Sequence, residues 1–275
     1  MSNKSSEQVK KSSFVFSIKK FVYSKFIIRY KILKKKIYQI NDRNEDKKKI
    51  MVNIGGGYFF KRHWSVLDVP SKHYKFMRGV VDYECDLTSG QPLPLEDDSV
   101  SFIYSSHTLE HIPQECIPFL FSELYRILKR KGVIRLTMPD FDKAVDAFAN
   151  NNKEYFILLE NDTIEEDFLD YFATNLKNKV PAEELRNNFN SMSFEEFGDF
   201  YTIQVPREAQ KESSGNHINW WNYNKLYNLL KEAGFNNIYR SEANQSKFSE
   251  IRNIGKSIGF DSTHPEISLF VEGVK

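Results

Sequence analysis

The sequence predicts an α/β fold in which a mostly parallel sheet alternates with helices. Three observations indicate this fold: short apolar segments recur along the chain, a glycine run follows the first of them, and a helical period precedes the fifth. The predicted strands are 50–54, 64–69, 80–85, 100–105, 133–138, 237–241 and 267–271.

Two helices are predicted between these strands, at 114–130 and 224–233. Lys129–Lys131 suit the negative end of the first helix dipole, and Gly132 is expected to end that helix. Gly234 ends the second helix in the same way. The apolar residues that share one face of the first helix are Ile117, Phe121, Leu124 and Leu128.

A basic arm, residues 1–49, precedes the body at 50–275. The arm holds fifteen Lys/Arg against four Asp/Glu, whereas the body sums to a charge of −9. Apolar residues recur near the helical period over 14–40, which predicts an amphipathic basic helix that lies on anionic lipid or packs against the body or another subunit. No segment reaches the roughly 18 apolar residues of a membrane span. We therefore expect a cytoplasmic protein that can sit peripherally at the inner face of the membrane.

Residues 141–216 interrupt the alternation of strands and helices. The segment is rich in Asp and Glu, carries no convincing strand and is predicted to be a helical insertion that forms a lid over the acceptor. Cys85 and Cys116 have neither metal-ligand spacing nor a disulfide pattern, so they are interpreted as buried thiols. No metal site is predicted.

The glycine run Gly55-Gly56-Gly57 follows the first predicted strand, where backbone N–H groups can cradle a polar ligand. A dinucleotide fingerprint requires a further glycine near position 60, which is Phe60 here. It also requires an acid about 20 residues after the glycines, but Asp68 follows Gly55 by only thirteen. The pattern therefore disfavours a nicotinamide cofactor.

Polar residues at successive strand ends match S-adenosylmethionine (SAM) instead, because ligands of open parallel sheets lie across these ends. Asp68 can accept hydrogen bonds from the ribose diol, and Asp86 from the adenine amine, with Leu87 packing on the ring. Ser105, Ser106 and His107 are expected to border the methionine portion. Each acid alone could equally serve as a surface or capping residue.

Several segments together resemble the class I SAM-dependent methyltransferases. They include MVNIGGG, ECDLTSGQPLPLEDDSVSFIYSSHTLEHIP, SELYRILKRKGVIRLTMPD and NWWNYNKLYNLLKEAGFNNIYR. The resemblance implies a Rossmann-like, seven-stranded sheet with its last strand antiparallel, and places 105–111 beneath the methyl group. Asn53 replaces the usual acid, and Lys131 a usual glycine. The implied cofactor contacts are Asn53, Gly55, Gly56, Gly57, Asp68, Asp86, Leu87, Ser105, Ser106 and His111.

The acceptor is less well defined by the sequence. A hydroxyl acceptor requires a base with a pKa near neutrality, whereas a phosphate oxygen or a carboxylate requires none. His107, Asp140 and His217 are the candidate catalytic residues, and structural roles remain open for each of them.

The sequence after the fourth strand, Ser105–Thr108, lacks the Asn/Asp-Pro-Pro-aromatic segment typical of amino-group DNA methylases, which disfavours DNA as substrate. The segment SSHTLEHI is similar to one branch of this family, whose members often sit in bacterial pathways that decorate surface polysaccharides. The resemblance therefore implies O-methylation of a sugar or small glycan precursor, with a phosphoryl-type oxygen of a capsule precursor as a variant. Alternatives are an RNA methyltransferase and a non-catalytic module that binds SAM or a partner protein. A homo-oligomer stays open.

Overall fold

The computed structural model describes residues 50–56, 64–69, 81–159, 161–206, 213–252, 254, 262 and 264–275. The arm at 1–49, Gly57 and the short connection at 58–63 lie outside the described residues, so their predictions remain predictions. No helix within the described ranges is long and apolar enough to cross a membrane.

Seven strands form one sheet in the order β3-β2-β1-β4-β5-β7-β6. All neighbouring pairs from β3 to β5 are parallel, and β7 is antiparallel to both β5 and β6. This confirms the predicted mostly parallel sheet with an antiparallel last strand. The strands are β1 (Ile50–Ile54), β2 (Trp64–Asp68), β3 (Tyr83–Glu84), β4 (Val100–Ser106), β5 (Leu128–Pro139), β6 (Asn236–Arg240) and β7 (Ser268–Val274).

The central strands are apolar on both faces because helices and loops cover the sheet on each side. Helix α1 (Ile117–Ile127) buries one apolar stripe against one face, and the helix at Tyr223–Glu232 packs beside it. The opposite face is covered by a smaller cluster that includes Trp64, Tyr104 and Ile251. The strand order reverses beside β1, between β2 and β4, which is the position where open α/β sheets bind their ligands.

The predicted helix at 114–130 is correct in position but extends three residues too far at its C-terminal end. Its first turn, Gln114–Cys116, is a 3-10 helix that leads into α1. Helix α1 ends at Ile127, and Leu128 already pairs with Val100 as the first residue of β5. Leu128 pairs with β4, and Lys131 donates its N–H to the carbonyl of Lys275 at 2.9 Å, so sheet contacts rather than helical propensity decide the backbone at Lys129–Lys131. Lys131 adopts a φ of 63°, so the lysine occupies a left-handed position that favours glycine.

The predicted helical character of the insertion is confirmed for its described residues, which contain no strand. Two of its helices begin with a capping box, in which Thr163 pairs with Glu166 and Ser193 with Glu196. The helices are α2 (Phe141–Ala149), α3 (Ile164–Asp170), α4 (Ala182–Ser191) and α5 (Phe194–Thr202), and α6 (Tyr223–Glu232) follows the insertion.

The insertion is fastened to the sheet where it leaves and where it returns. Phe141 donates its backbone N–H to the carbonyl of Trp221 at 2.8 Å, which joins the start of α2 to the returning segment. Ile218 donates to the carbonyl of Glu110 at 2.8 Å, which joins that segment to the turn after β4. The end of β4 therefore contacts both the β1 loop and the insertion.

Candidate active site

Two glycines shape the turn after β1, because each of them lies in tight contact with a neighbouring side chain. Gly55 has a φ of 65°, and a Cβ atom there would lie 2.2 Å from Oγ1 of Thr108. A Cβ atom on Gly56 would lie 2.4 Å from a methyl group of Val66. The absence of side chains lets the β1 turn pack between β2 and the turn after β4, as a cofactor-binding glycine loop requires.

The polar groups around this turn complement the donor groups of SAM. Asn53 is buried, and its Oδ1 has no hydrogen-bond partner among the described residues. Asp68 ends β2 with Oδ1 accepting the N–H of Val69 at 2.7 Å. Asp86 follows β3, and its Oδ1 binds the N–H and hydroxyl of Thr88 at 2.8 and 2.7 Å. A ribose diol, an adenine amine and an ammonium group are all donors, so these residues fit the cofactor.

Ser105 and Leu87, which were also predicted as cofactor contacts, have mainly structural contacts. Ser105 is buried, and its hydroxyl donates to the carbonyl of Ile54 at 3.0 Å, which joins β4 to the end of β1. Leu87 packs against the main core of the sheet. Ser106 ends β4 and is half-buried beside the turn. The end of β4 therefore contacts the end of β1 and helps to hold the glycine turn in place.

His107 was predicted as a catalytic residue, and its ring is held on both sides. Nε2 lies 2.7 Å from the hydroxyl of Ser262 and 3.0 Å from that of Ser268. Nδ1 lies 3.1 Å from Oε1 of Glu110. Because both ring nitrogens already face protein groups, the geometry favours a positioning role for His107 over a role as the base.

Asp140 was also predicted as catalytic, but its side chain is fully buried and forms an ion pair with Arg240. Burial raises the pKa of Asp140, while the positive charge of Arg240 acts in the opposite direction. An enclosed carboxylate that already holds a guanidinium is poorly placed to take a proton from an acceptor. The structure therefore points to Asp140 as an anchor between β5 and β6.

His217 and His111 meet beside Glu110, with their ring centroids 4.9 Å apart. His217 Nδ1 lies 2.7 Å from the carbonyl of Tyr171, and His111 Nδ1 lies 2.9 Å from that of Asn216. His111, predicted as a cofactor contact, lies in a cluster with Glu110 and His217 beside the segment that returns from the insertion. We call Glu110, His111 and His217 the acceptor-side cluster.

Two groups of this cluster have strongly shifted pKa values. Burial lowers the pKa of His217 to about 4, and nearby His111 acts in the same direction. Burial alone would raise the pKa of Glu110, but contact with His107 and the charges of His111 and His217 lower it to about 2. At neutral pH the cluster therefore combines a carboxylate with a neutral imidazole of His217.

Sequence reasoning missed three residues that the structure places at the site. Glu110 is central to the acceptor-side cluster, Thr108 supports the glycine turn and Arg240 neutralises Asp140. A signal for Glu110 was present, because an acid lies between an apolar turn and a histidine in the segment Leu109–His111. No comparable local signal marks Arg240, whose partner is one hundred positions away.

Comparison with known proteins gives one domain match. Residues 68–136 match the family model described as "Methyltransferase domain". This region begins at the acid that ends β2 and runs into β5, so it contains the turns after β2, β3 and β4. A comparison with curated proteins found no match.

Solved structures of SAM-dependent methyltransferases resemble the chain weakly. A possible histamine N-methyltransferase from Thermotoga maritima has 15% identity and a TM-score of 0.44, over 94% of this chain and 96% of that chain. A SAM-dependent methyltransferase from Archaeoglobus fulgidus has 13% identity and a TM-score of 0.42, over 93% and 99%. Human N-acetylserotonin methyltransferase with SAM has 14% identity and a TM-score of 0.39, over 82% and 47%.

The sheet order, the glycine turn and the acids at successive strand ends define a Rossmann-like α/β fold with a candidate cofactor site at its strand ends. The domain match covers the segment that carries those acids, so residues 68–136 resemble a methyltransferase domain, and the groups at the strand ends fit SAM as a cofactor.

Proposed function

We propose that the protein transfers the methyl group of SAM to a hydroxyl group of a sugar or small glycan precursor in bacterial surface-polysaccharide biosynthesis. The observation that carries this proposal is the acceptor-side cluster. A carboxylate and a neutral imidazole lie together next to the turn that supports the cofactor loop. Both groups accept hydrogen bonds, so they suit an acceptor that donates O–H groups.

The charge of the surrounding chain favours a neutral acceptor over an anionic one. Residues 141–216 hold sixteen Asp/Glu and seven Lys/Arg, and the cluster itself contributes the carboxylate of Glu110. An acidic lid repels a polyphosphate chain and offers little to attract it. The negative charge of the insertion and of Glu110 therefore favours a sugar hydroxyl over a phosphoryl oxygen, and it disfavours RNA as the substrate.

Bound SAM supplies a methyl group on a sulfonium centre, which needs mainly an aligned nucleophile and the exclusion of water. The chain must also remove the proton of the acceptor hydroxyl. Among the three predicted catalytic residues, His217 is best placed to accept a hydrogen bond from that hydroxyl, because the carbonyl of Tyr171 fixes the hydrogen on Nδ1 and leaves the lone pair on Nε2. Its pKa of about 4 makes it a weak base, so it orients the hydroxyl and passes the proton on rather than retaining it. His107 and Asp140 position neighbouring groups.

Methylation assays with a panel of acceptors test the proposal. The protein is incubated with methyl-labelled SAM and with nucleotide-activated sugars, free sugars, sugar phosphates, amino compounds and RNA. We expect the label in a methyl ether, and none in the deoxy analogue that lacks the reactive hydroxyl. Transfer only to nitrogen, to a phosphate oxygen or to RNA would contradict hydroxyl methylation. Calorimetric titration with SAM establishes separately that the cofactor site is intact.

A further inference from the structure

The carboxylate of Glu110 is in an unusual environment for a charged group. Its side chain is 1% exposed, and neither carboxylate oxygen accepts a hydrogen bond from a described residue. His107 Nδ1 comes within 3.1 Å of Oε1 but without the alignment of a hydrogen bond. A buried carboxylate is unfavourable unless a donor or a cation satisfies it. The neighbouring histidines stabilise the charge of Glu110, but neither oxygen has a well-aligned donor among the described residues, which leaves the carboxylate able to bind a cation.

The two histidines beside Glu110 are oriented as metal-binding histidines usually are. Backbone carbonyls can only accept hydrogen bonds, so the contacts of His111 with Asn216 and of His217 with Tyr171 place the hydrogen on Nδ1 of each neutral ring. Nε2 then carries the lone pair that binds a cation. A backbone carbonyl that fixes the second nitrogen is the typical outer-shell partner of a histidine ligand.

The spacing of the three side chains is close to that of a coordination shell. One ligand atom from each of Glu110, His111 and His217 lies within 4.8 Å of the others, and Nε2 of His111 is 3.9 Å from Oε1 of Glu110. Zinc bonds of about 2.0–2.2 Å place tetrahedral ligand atoms roughly 3.3 Å apart. Side-chain rotations that draw the atoms inward by about 1 Å therefore complete the shell.

The backbone already brings the three residues together from two parts of the chain. Glu110 and His111 lie on the short 3-10 turn Leu109–His111 after β4, and His217 lies on the segment that returns from the insertion. The hydrogen bond from Ile218 to the carbonyl of Glu110 fixes this approach. The cluster is therefore held by main-chain contacts that do not depend on the ionisation of its members.

We propose that Glu110, His111 and His217 bind a divalent transition-metal cation, with Zn²⁺ as the preferred ion. Two imidazoles and one carboxylate are the ligand set of many catalytic zinc sites, and imidazole disfavours Mg²⁺ and Ca²⁺, which prefer oxygen ligands. Three protein ligands leave a coordination position open, and the side chain of His111 is 19% exposed, so the site is accessible to a small ligand. His107 acts as the outer residue that orients Glu110.

A role for the cation in methyl transfer rests on the proposed function. A cation at this position polarises an acceptor hydroxyl and lowers its pKa, so that the proton can leave to water. It then replaces Nε2 of His217, now a ligand, as the group that activates the hydroxyl. Metal binding itself does not depend on which acceptor is methylated.

The test is a direct measurement of metal binding to the full-length protein after treatment with a chelator and dialysis. Zn²⁺ binding is followed by calorimetry, and Co²⁺ is added as a spectroscopic probe whose visible absorption reports its coordination. We expect saturable binding of one cation per chain and a Co²⁺ spectrum typical of mixed nitrogen and oxygen ligands. Absence of saturable Zn²⁺ binding by the wild-type protein overturns the proposal.

Variants assign the binding to the cluster. Glu110→Gln and His217→Gln are expected to weaken Zn²⁺ binding by at least about tenfold, because each removes a direct ligand. His264→Gln is the matched control, since His264 lies near His107 but outside the cluster, and its affinity should equal that of the wild type. Wild-type affinity in both cluster variants contradicts the assignment, and unchanged circular dichroism excludes misfolding as the cause of a loss.

The same samples separate failure of the metal site from failure of the proposed function. Zn²⁺ binding without methylation of any hydroxyl leaves the metal site standing and contradicts the proposed acceptor. Hydroxyl methylation by wild-type protein that shows no measurable Zn²⁺ affinity supports the acceptor and overturns the metal site. SAM titration of each variant verifies the cofactor loop independently of both.

Discussion

The sheet and the insertion are built around different kinds of side chain. The sheet core is mainly aliphatic, with fully buried residues such as Val52, Ile103 and Leu136. The insertion core is aromatic, and Phe168 stacks on Phe148 and Phe197 with ring centroids 4.3 and 5.7 Å apart. Branched aliphatic residues suit a pleated sheet, whereas large rings allow short helices to share one compact core.

The difference extends to how each region contributes to the site. The sheet provides the cofactor side through backbone turns at the ends of adjacent strands, as at Gly55 and Asp68. The insertion reaches the turn after β4 through contacts between distant segments, as where Tyr171 holds His217 beside Glu110, and the proposed function assigns this region to the acceptor. Cofactor binding should therefore survive damage to the insertion core, and acceptor chemistry should not.

A truncation in each core tests this separation most strongly. Phe168→Ala is expected to cost about 3–5 kcal/mol and Ile103→Ala about 2–5 kcal/mol, because both side chains are fully buried. We expect Phe168→Ala to abolish methyl transfer while SAM affinity changes little, and Ile103→Ala to weaken SAM binding as well. Chemical denaturation and calorimetry measure both effects. If Phe168→Ala weakens SAM binding as much as Ile103→Ala does, the two regions are not separable.

The buried ion pair in the sheet provides a second test of the difference between the two regions. The described residues of the insertion contain no ion pair that is fully buried. Arg135 and Glu272 are both 0% exposed and meet at 2.5 Å. Glu272→Gln leaves the guanidinium uncompensated, and we expect a loss of about 3 kcal/mol. The surface pair of Lys275 with Asp98 is the control, because Asp98→Asn should cost less than about 1 kcal/mol. Similar losses in both variants would contradict the assumed role of burial.

The same contrast explains what the sequence could predict. All seven strands were located, and the Gly55 turn, Asp68 and Asp86 were found, because each follows an apolar segment at a recognisable position. Local patterns carry such information. The end of helix α1 was misplaced, since pairing between Val100 and Leu128 is a tertiary contact that no local pattern shows.

The acceptor side depended on contacts that local patterns do not contain. His217 was identified as a candidate, but its meeting with Glu110 brings together residues more than one hundred positions apart. Asp140 was predicted from its place after β5, yet its pairing with Arg240 on β6 is what decides its role. Side-chain chemistry could be read from the sequence, whereas the partner of each group required the fold.

Substitutions at two glycines near the predicted cofactor site separate the cost of close packing from the cost of backbone strain. Gly55 and Gly90 have φ values of 65° and 66°, but only the Cβ position of Gly55 has neighbours, with Thr108 at 2.2 Å. Gly90→Ala should therefore cost about 1 kcal/mol through strain alone. We expect Gly55→Ala to cost about 1–3 kcal/mol more and to weaken SAM binding at least tenfold. Equal SAM affinities in the two variants would show that contact with Thr108 does not shape the cofactor loop.

The smallest expected effect lies where the two regions meet, at Lys225. Its Nζ lies 4.0 Å from the ring centroid of Trp220 and 3.0 Å from Oδ1 of Asn219, and burial lowers its pKa to about 7, opposed by Asp199. Unfolding restores the usual pKa of 10.5, so the folded protein binds fewer protons than the unfolded chain between pH 7 and 10.5, and its stability falls as the pH is lowered through that window.

Lys225→Met removes this linkage and keeps the apolar length of the side chain. We expect the variant to gain stability relative to the wild type at pH 7 and to gain less at pH 10, as measured by urea denaturation at both values. Lys231→Met on the exposed face of the same helix is the control and should show no such difference. A gain of equal size at both pH values would mean that the Trp220 ring and Asn219 compensate the buried charge fully. The junction between sheet and insertion would then be held by a lysine that remains charged.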